Sequence, residues 1–413
     1  MKKPLLLIFL LLILHPLCVF SLEVGADVLL SGQHDALLKG KRIGLITNHT
    51  AINSQRRHTI DLLKAHAKKK GFTIVALFAP EHGIKGDSHA SEDIKNETDP
   101  DGVPIYSLHG ATRRPTKEML QDIDLLLYDI QDIGSRSYTF VSTLFYAMEE
   151  AAKSNIPVVV LDRPNPINGL TVDGCMMEEK WRSIVGYINV PYCHGMTVGE
   201  LASYFNDEYK TNCKLHIIPM RGWKRSMTFE DTDLTWIPTS PNIPEASTPW
   251  FYPATGILGE LQIVSIGIGY TLPFKVVGAP WINAEEFADK LNAQKSPGVT
   301  FIPFHFKPFS GKFAQQPCQG VLLTVSDPKA YKPVQTQYLL IGMLKSLYPS
   351  PFHDALERSK ERRDMFAKVN GTDDVYRIIS EERYVVWPLK TLHKAERQAF
   401  LKKRQTYLIP AYS

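Results

Sequence analysis

Short, continuous apolar runs alternate with helical patterns along the first half of the chain. The apolar runs are residues 43–46, 72–77, 125–128 and 157–161, and apolar side chains recur at helical spacing in residues 54–70 and 138–153. Strands that lack polar alternation and are separated by helices are typical of a parallel sheet covered on both faces. The sequence therefore predicts an α/β fold with a doubly wound, mostly parallel, Rossmann-like sheet.

The 413 residues are more than one hydrophobic core usually holds, so we expect two domains. A second α/β pattern begins near residue 269, with helices expected near 284–293 and 334–347 and a strand at 321–325. We predict a Rossmann-like main domain over residues 22–268 and a smaller C-terminal α/β auxiliary domain over residues 269–413.

The N-terminal residues have the pattern of a secretory signal peptide. Lys2 and Lys3 precede an apolar stretch at residues 5–14 and a plausible cleavage site near Ser21. The apolar stretch is shorter than the roughly 20 residues that a membrane-spanning helix needs, and no later segment is long and apolar enough. We therefore expect residues 1–21 to be removed and the protein to be exported, periplasmic or secreted, without a transmembrane anchor.

Charge and cysteine content narrow the classes of partner. Lys and Arg number 47 and Asp and Glu 43, which predicts no nucleic-acid-binding surface. The cysteines outside the signal peptide, Cys175, Cys193, Cys213 and Cys318, permit three full disulfide pairings in an exported protein. None has CxxC spacing, and we expect buried or paired thiols rather than a nucleophile. The oligomeric state stays open.

Polar residues follow each apolar run of the predicted sheet. The segments are residues 47–50 (TNHT), 80–83 (PEHG), 109–110 (HG), 129–132 (DIQD) and 162–166 (DRPNP). Turn chemistry explains any one of them, because Asn, Asp, Pro and Gly favour turns. However, the carboxyl ends of parallel strands share one edge, where ligands of open α/β sheets bind. Five such segments on one edge therefore favour a functional site.

Two common uses of this fold class are disfavoured. Neither GxGxxG nor GxxxxGK[ST] occurs at a strand-to-helix turn, so we expect no nucleotide cofactor, and no other cofactor is indicated. No GxSxG nucleophile motif occurs either, which argues against a serine hydrolase.

The carboxylates and imidazoles of this edge suit glycoside hydrolysis. That reaction needs one carboxyl group to protonate the leaving oxygen and a second to act as nucleophile or base. Glu81 and His82 stand together in the PEHG segment. The alternative is a divalent metal site at His82, Asp87 and His89, although no HExxH pair supports it.

Six motifs occur in order along the chain: residues 44–50 (GLITNHT), 80–83 (PEHG), 129–139 (DIQDIGSRSYT), 161–166 (LDRPNP), 194–202 (HGMTVGELA) and 240–244 (SPNIP). Together they resemble the exo-β-N-acetylmuramidase (NamZ-like) family of exported bacterial glycosidases. The resemblance runs from about residue 25 to the C-terminus. It implies a Rossmann-like catalytic domain, a smaller auxiliary domain, and release of N-acetylmuramic acid from the non-reducing end of peptidoglycan fragments. The implied partners are peptidoglycan-derived saccharides or muropeptides.

The resemblance also implies the site residues. Glu81 matches the leading catalytic residue and would act as general acid, with His82 and Asp129 beside it. Arg136 or Arg163 would clamp the carboxylate of the substrate's lactyl ether. The structural alternative for each arginine is an ion pair with Asp132 or Asp162. The expected substrate-binding residues are Asn48, His49, Gln131, Asp132, Arg136, Tyr138, Asp162, Arg163, Asn165, His194, Thr197, Glu200, Ser240 and Asn242.

One segment departs from the family pattern. The family usually carries Glu-Gly-Arg-Gly-Thr and then Pro-Phe-Glu, where this chain has Ile266, Ile268 and Lys275 in place of the charged residues. Apolar replacement of a charged pair preserves folding more readily than function. The chain could therefore have altered specificity, use another carboxylate or be inactive. The alternatives to a glycosidase are a non-catalytic peptidoglycan- or sugar-binding protein and a metal-dependent hydrolase.

Overall fold

A computed structural model of the chain describes residues 22–88 and 95–413. Within those residues the larger sheet has seven strands. They are Arg42–Thr47 (β1), Thr73–Ala79 (β2), Glu97–Thr98 (β3), Pro104–Ser107 (β4), Leu125–Asp129 (β5), Val158–Leu161 (β6) and Leu215–Ile218 (β7). All neighbouring pairs are parallel except β3 with β4. The expected α/β fold with a mostly parallel sheet is confirmed.

The strand order places a switch in chain direction at the centre of the sheet. The order is β3-β4-β2-β1-β5-β6-β7, so the chain builds outward from β1 to β4 and then returns to the other side of β1. In such sheets the crevice beyond the carboxyl ends of the two strands at the switch is the usual ligand site. Here those strands are β1 and β5. Their last residues, Thr47 and Asp129, lie side by side.

Both faces of the sheet are buried, which explains the continuous apolar runs. On β5, Leu125 and Leu127 pack into one hydrophobic cluster, and Leu126 and Tyr128 pack into the cluster on the opposite face. All four side chains are 2% exposed or less. Alternate residues of a strand point to opposite faces, so a strand covered on both sides must be apolar throughout.

The helices of the first part of the chain cover this sheet. They are Gly25–Leu30 (α1), Asp35–Leu38 (α2), Thr59–Lys70 (α3), Lys117–Leu120 (α4), Thr139–Lys153 (α5), Val198–Glu208 (α6), Thr248–Phe251 (α7) and Ile257–Glu260 (α8). A single π-helical turn, Tyr252–Gly256, joins α7 to α8.

The helix expected over residues 54–70 begins later than the sequence indicates. Asn53 Oδ1 accepts the backbone N–H groups of Gln55 and Arg57 at 3.1 and 2.8 Å, which holds a turn instead. The Nδ1 atom of His58 then accepts the N–H of Ile60 at 3.1 Å and caps α3. Local side-chain hydrogen bonds of this kind compete with helix formation.

A smaller α/β unit follows, as expected. Its antiparallel sheet has the order β8-β10-β9, from Val276–Ala279 (β8), Val299–Phe306 (β9) and Cys318–Val325 (β10). The helices are Ala284–Asn292 (α9), Pro333–Leu347 (α10), Pro349–Arg358 (α11), Arg363–Asn370 (α12), Asp374–Glu381 (α13), Val386–Thr391 (α14) and Lys394–Lys403 (α15). The boundary between residues 268 and 269 stays a prediction.

The C-terminal segment folds back onto the larger sheet. The hydroxyl of Tyr412 donates to Asp162 Oδ2 at 2.7 Å and accepts the N–H of Met220 at 2.9 Å. Nearby, the N–H of Ile409 donates to Glu200 Oε1 at 2.8 Å. Tyr412 is fully buried, so the end of the chain is part of the N-terminal core.

Three features bear on the expected export: the signal peptide, the absence of a membrane-spanning helix among the described residues and the state of the cysteines. The expected signal peptide, residues 1–21, lies outside the described residues. In the part of the chain that is described, every helix is too short or too polar to cross a lipid bilayer. The four cysteines there are buried and unpaired. Burial raises the pKa of the Cys175 and Cys213 thiols to about 11, which fits structural thiols.

Candidate active site

The PEHG segment is a tight turn at the carboxyl end of β2. The N–H of Gly83 donates to the carbonyl of Pro80 at 3.0 Å, and His82 has a φ of 70°. Glycine or asparagine usually occupies such a left-handed position, which costs other residues about 1–3 kcal/mol. The His82 Nδ1 atom lies 2.8 Å from the carbonyl oxygen of Ser88, and the side chain is 8% exposed. The hydrogen bonds and the burial of His82 hold this turn in its strained conformation.

Glu81 is partly buried and held by one hydrogen bond. The hydroxyl of Thr139 donates to Glu81 Oε2. Thr139 is the first residue of α5, so the carboxylate lies at a helix N-terminus, where negative charge is favoured. Among the described residues Oε1 has no hydrogen-bond partner. Glu81 therefore offers one oxygen to a ligand while the other is anchored.

A cluster of hydroxyl groups lies close to Glu81. Ser137 Oγ is 2.6 Å from the hydroxyl of Tyr192 and 3.2 Å from that of Tyr252. Burial, joined by the negative charges of Glu260 and Glu81, raises the pKa of Tyr252 to about 12. Tyr252 is therefore within electrostatic reach of Glu81 and stays a protonated hydrogen-bonding group at neutral pH.

A cavity of about 260 Å³ opens beside these tyrosines. Its wall includes Tyr192, Tyr252, Glu260, Ile266, Ile268, Lys312 and Arg362. The segment that departs from the family pattern thus forms part of the cavity. Gly267 and Gly269 have φ values of 84° and 79°, and a Cβ on either would lie within 2.2 Å of a backbone oxygen. The two glycines are required for this loop to pass so close to its neighbours.

Asp132 is a second carboxyl group at the switch between β1 and β5. Its Oδ2 atom accepts the N–H of Gly134 at 2.8 Å, whereas Oδ1 is buried and has no partner among the described residues. Burial raises the pKa of Asp132 to about 7. A buried carboxyl with one unsatisfied oxygen and a pKa near neutrality is suited to acid–base chemistry.

Tyr138 connects Asp132 to the hydroxyl cluster. Its ring packs edge to face against Tyr252, with centroids 6.1 Å apart, and its hydroxyl donates to Thr239 Oγ1 at 2.8 Å. Burial raises the pKa of Tyr138, and the charge of Asp132 acts in the same direction. Ser240 follows Thr239 and is 8% exposed, whereas Asn242 is exposed.

His49 lies against the loop that follows the PEHG turn. Its Nε2 atom is 2.7 Å from the carbonyl oxygen of Pro238. Burial lowers the pKa of His49, and the nearby His82 adds to this effect, so the imidazole is neutral at pH 7. A Cβ on Gly86 would fall 2.0 Å from the His49 ring. The preceding residue, Asn48, is buried and accepts the Thr50 hydroxyl at 2.6 Å.

Asp129 and Arg163 form a fully buried ion pair. Arg163 Nε and Nη2 donate to the two Asp129 oxygens at 2.5 and 3.0 Å, and the Thr59 hydroxyl donates to Oδ2 at 2.5 Å. The partner of Arg163 is therefore Asp129, not Asp132 or Asp162. Both carboxylate oxygens are occupied, so the catalytic role expected for Asp129 and the clamp expected for Arg163 gain no support from this geometry.

Arg136 is also committed to the protein itself. Its Nη1 atom donates to the carbonyls of Cys175 and Val190 at 2.7 and 2.6 Å, and Nη2 donates to that of Asn370 at 2.5 Å. The side chain is 2% exposed. Arg136 therefore links the loops of the main sheet to α12. Among the described residues it forms no ion pair with Asp132, and the clamp expected for it gains no support from this geometry.

Other predicted binding residues stabilise loops at the carboxyl edge. Thr197 and Glu200 form a capping box on α6, and Glu200 pairs with Arg225 at 2.5 Å. Asp162 accepts the Thr197 hydroxyl and the Gly199 N–H, and burial raises the pKa of Asp162 to about 6. These side chains are buried and fully used by protein partners, as a loop scaffold requires.

The remaining predicted residues are Gln131, Asn165 and His194. Gln131 Nε2 donates to the carbonyls of Asp132 and Pro164, each at 2.8 Å, and Asn165 Nδ2 donates to that of Met196 at 3.0 Å. His194 Nδ1 accepts the Met196 N–H at 3.2 Å, and Nε2 is buried without a partner among the described residues. Burial lowers the pKa of His194 to about 3, so it is neutral.

The sequence matches models of both domains of one enzyme family. The N-terminal domain of the exo-β-N-acetylmuramidase NamZ matches residues 43–247, and the C-terminal domain matches residues 250–409. The chain belongs to the NamZ family. The resemblance drawn from the six motifs is therefore confirmed.

Individual members are similar along most of the chain. The peptidoglycan β-N-acetylmuramidase NamZ of Bacillus subtilis (strain 168) is 40% identical over 390 residues, which are 94% of this chain and 91% of that protein. Crystal structures of two DUF1343 family proteins from Bacteroides fragilis superpose with TM-scores of 0.87 and 0.72, at 41% and 29% identity. Each of these two superpositions covers 94% of this chain and 99% of the Bacteroides fragilis chain.

Sequence reasoning missed several residues that the fold brings to Glu81. Thr139 ends the 129–139 motif of the NamZ family, and its place at the start of an apolar helix could have identified it. Ser137 belongs to the same motif. Tyr192 and Tyr252 have no motif that marks them, because they reach the site through distant connections.

The metal alternative concerns residues that are only partly described. His82 Nδ1 faces the Ser88 carbonyl, and His89 lies outside the described residues. Among residues 22–88 and 95–413, the carboxylates and imidazole that lie close enough for a shared ion are Glu178, Asp374 and His393, which belong to another part of the NamZ fold.

Proposed function

We propose that the chain is a glycoside hydrolase that releases N-acetylmuramic acid from the non-reducing end of peptidoglycan fragments. Family membership and the Bacillus subtilis relative support this substrate. The observation that carries the proposal is Glu81 itself, which is anchored by Thr139 through one oxygen and open at the other, near a cavity lined by hydroxyl groups.

Glu81 acts as the general acid in this proposal. Cleavage of a glycosidic bond leaves an alkoxide that must be protonated as the sugar develops oxocarbenium character. The open Oε1 atom supplies that proton, while the Thr139 hydroxyl keeps the carboxyl group oriented and stabilises the carboxylate that remains. Orientation matters because proton transfer needs hydrogen-bond distance to the leaving oxygen.

Asp132 is our candidate for the second carboxyl group. Its unpartnered Oδ1 atom and a pKa of about 7 allow it to take up a proton from water near neutral pH. Its electrostatic effect on Tyr138, the packing of Tyr138 against Tyr252 and the effect of Glu81 on Tyr252 support this choice. Asp129 cannot serve in this way while Arg163 and Thr59 occupy both its oxygens.

The test uses the purified protein without residues 1–21 and a chromogenic β-glycoside of N-acetylmuramic acid. Glu81→Gln keeps the acceptor for Thr139 but cannot donate a carboxylic proton, so kcat is expected to fall by about 10²–10⁴-fold. Glu97→Gln, in exposed β3, is the matched control and is expected to keep wild-type rates.

Equal rates for wild type and Glu81→Gln would overturn the role of Glu81. Saturable binding of muropeptides by wild type, with no turnover of any muramic-acid glycoside, would instead favour the non-catalytic sugar-binding alternative. Loss of activity on chelation, restored by one divalent ion, would favour the metal-dependent alternative.

We also propose that the protein is exported, and that it works in the periplasm or after secretion. The basic and apolar pattern of residues 1–21 and a peptidoglycan substrate support this location. Expression of the full chain is expected to give an extracytoplasmic protein whose N-terminus lies close to Leu22. Leu10→Arg interrupts the apolar stretch and should retain the uncleaved protein in the cytoplasm; an unchanged distribution would contradict the proposal.

A further inference from the structure

Two cations and one carboxyl group line the cavity. Lys312 and Arg362 both lie in its wall, and within residues 22–88 and 95–413 neither forms an ion pair. Lys312 lies 4.9 Å from the ring centroid of Phe313. Burial lowers the pKa of Lys312, and the positive charges of Arg358 and Arg362 act in the same direction. A partly buried cation among other cations is costly unless an anion joins it.

Arg362 is held in position by a backbone hydrogen bond. Its Nε atom donates to the backbone carbonyl of Glu260 at 2.7 Å, which anchors the guanidinium at the cavity wall. The Glu260 side chain lines the same cavity; burial raises its pKa, whereas the positive charge of Arg362 lowers it. The wall thus carries two cationic side chains and one carboxyl group, and an anion is the ligand group that the surplus cation suits.

An apolar surface lies in the same wall. Ile268 is 38% exposed, and Ile266 and Phe274 line the cavity beside it. An exposed isoleucine next to unpaired cations fits a ligand group that carries a small alkyl substituent beside its anion. The 3-O-lactyl ether of muramic acid is such a group, because it consists of one carboxylate and one methyl group on the same carbon.

The cavity is also correctly placed relative to the acid. Tyr252 lines it and lies within electrostatic reach of both Glu260 and Glu81. Its hydroxyl is 3.2 Å from Ser137 Oγ, two residues before Thr139, the residue that holds Glu81. A substituent that extends past Tyr252 from a sugar held at Glu81 would enter this cavity.

We propose that this cavity is the subsite for the lactyl ether, in which Lys312 and Arg362 hold the carboxylate and Ile268 contacts the methyl group. The inference rests on the proposed function. It assigns the choice of muramic acid over N-acetylglucosamine, which lacks the lactyl ether, to a loop of the C-terminal unit. It also assigns a ligand to a cavity wall that has the uncharged residues Ile266 and Ile268 where the family usually has charged ones.

The test compares three chromogenic β-glycosides: that of N-acetylmuramic acid, that of its lactyl methyl ester, and that of N-acetylglucosamine. Lys312→Met keeps the aliphatic stem and removes the charge. Losing a hydrogen bond to a charged group is expected to lower kcat/KM on the muramic acid glycoside by about 10- to 100-fold, mainly through KM. Rates on the ester and on the glucosamine derivative should stay within about twofold of wild type.

Three further variants separate charge from packing. Lys312→Arg should restore most of the activity on the muramic acid glycoside. Ile268→Asp places a negative charge in an exposed loop. It should lower kcat/KM for the muramic acid glycoside and leave kcat/KM for the other two substrates unchanged. Lys307→Met removes an exposed lysine nearby and should match wild type on all three.

An equal loss on all three substrates, or no loss with Lys312→Met, would overturn the subsite. If wild type hydrolyses none of the glycosides, the proposed function fails, and calorimetry then tests the subsite alone. Free N-acetylmuramic acid should bind more tightly than N-acetylglucosamine, and Lys312→Met should abolish the difference. Equal binding of the two sugars by wild type would overturn the subsite as well.

Discussion

Thr139 donates its side-chain hydroxyl to Glu81 across the switch point of the sheet. Glu81 follows β2, and Thr139 begins the helix after β5; these two strands flank β1 on opposite sides. The single hydrogen bond therefore joins the two halves of the sheet beyond the end of β1. Orientation of Glu81 depends on how both halves are placed.

Replacing Thr139 should impair turnover more than folding. Thr139→Val removes the hydroxyl at constant shape, and kcat on the muramic acid glycoside is expected to fall by about 10- to 100-fold, in line with the roughly 1.5–3 kcal/mol typical of hydrogen bonds to charged groups. Thr139→Ser keeps the hydroxyl and should retain most activity. The idea fails if the valine and serine variants have the same kcat.

The Asp129–Arg163 pair should affect stability. Arg163→Met leaves a buried carboxylate without its cation, and the unfolding free energy, measured by urea denaturation, is expected to fall by about 3–5 kcal/mol. Adding Asp129→Asn should recover part of that loss. A catalytic Asp129 would instead be shown by loss of kcat in Asp129→Asn under conditions where that variant is fully folded.

Asp132 should make stability depend on pH. Its folded pKa of about 7 lies above the ordinary value of 3.8, so the folded state binds the proton more tightly than the unfolded chain. The resulting stability is present at low pH and is lost as pH rises toward and through 7, by up to about 1.4 kcal/mol per pH unit.

Asp132→Asn removes this dependence. The unfolding free energy of the variant relative to wild type should therefore rise between pH 5 and pH 8. Asp162, whose pKa burial raises to about 6, contributes equally to both proteins and cancels in the comparison. A difference that stays constant over this range would show that Asp132 does not titrate there.

Two glycines offer a matched pair of substitutions: Gly267, in the loop beside the cavity, and Gly256, in the π-helical turn that lines it. In Gly267→Ala the new Cβ would lie 2.0 Å from the Leu272 carbonyl oxygen, at a φ of 84°, so the backbone must move. We expect a loss of more than about 2 kcal/mol in unfolding free energy together with a raised KM. In Gly256→Ala the nearest atom is 3.4 Å away, and thermal denaturation should show little change.

The sequence predicts the sheet well because its strands are buried on both faces. Leu125 to Tyr128 had to be apolar throughout, and polar residues could appear only where each strand ends. The start of α3 was predicted five residues too early, since Asn53 satisfies nearby backbone groups with its own side chain. Helical spacing alone does not reveal such competition.

The ion pairs and the cavity depend on contacts that the sequence pattern does not contain. Asp129 meets Arg163 because β5 and β6 pair in one particular register, which the motif order leaves open. Lys312 approaches Tyr252 only after the C-terminal unit has packed against the first. Family motifs identified Glu81, whereas its surroundings had to come from the structure.

Tyr412, whose hydroxyl donates to Asp162, makes the core of the first sheet depend on the end of the chain. The core of the first sheet lacks one of its own buried side chains until residue 412 has been synthesised. The two family matches, 43–247 and 250–409, therefore divide the sequence but not the folding unit. An N-terminal fragment that stops between the two matches therefore lacks a buried tyrosine of its own core, and we expect it to be less stable than the same residues in the full chain.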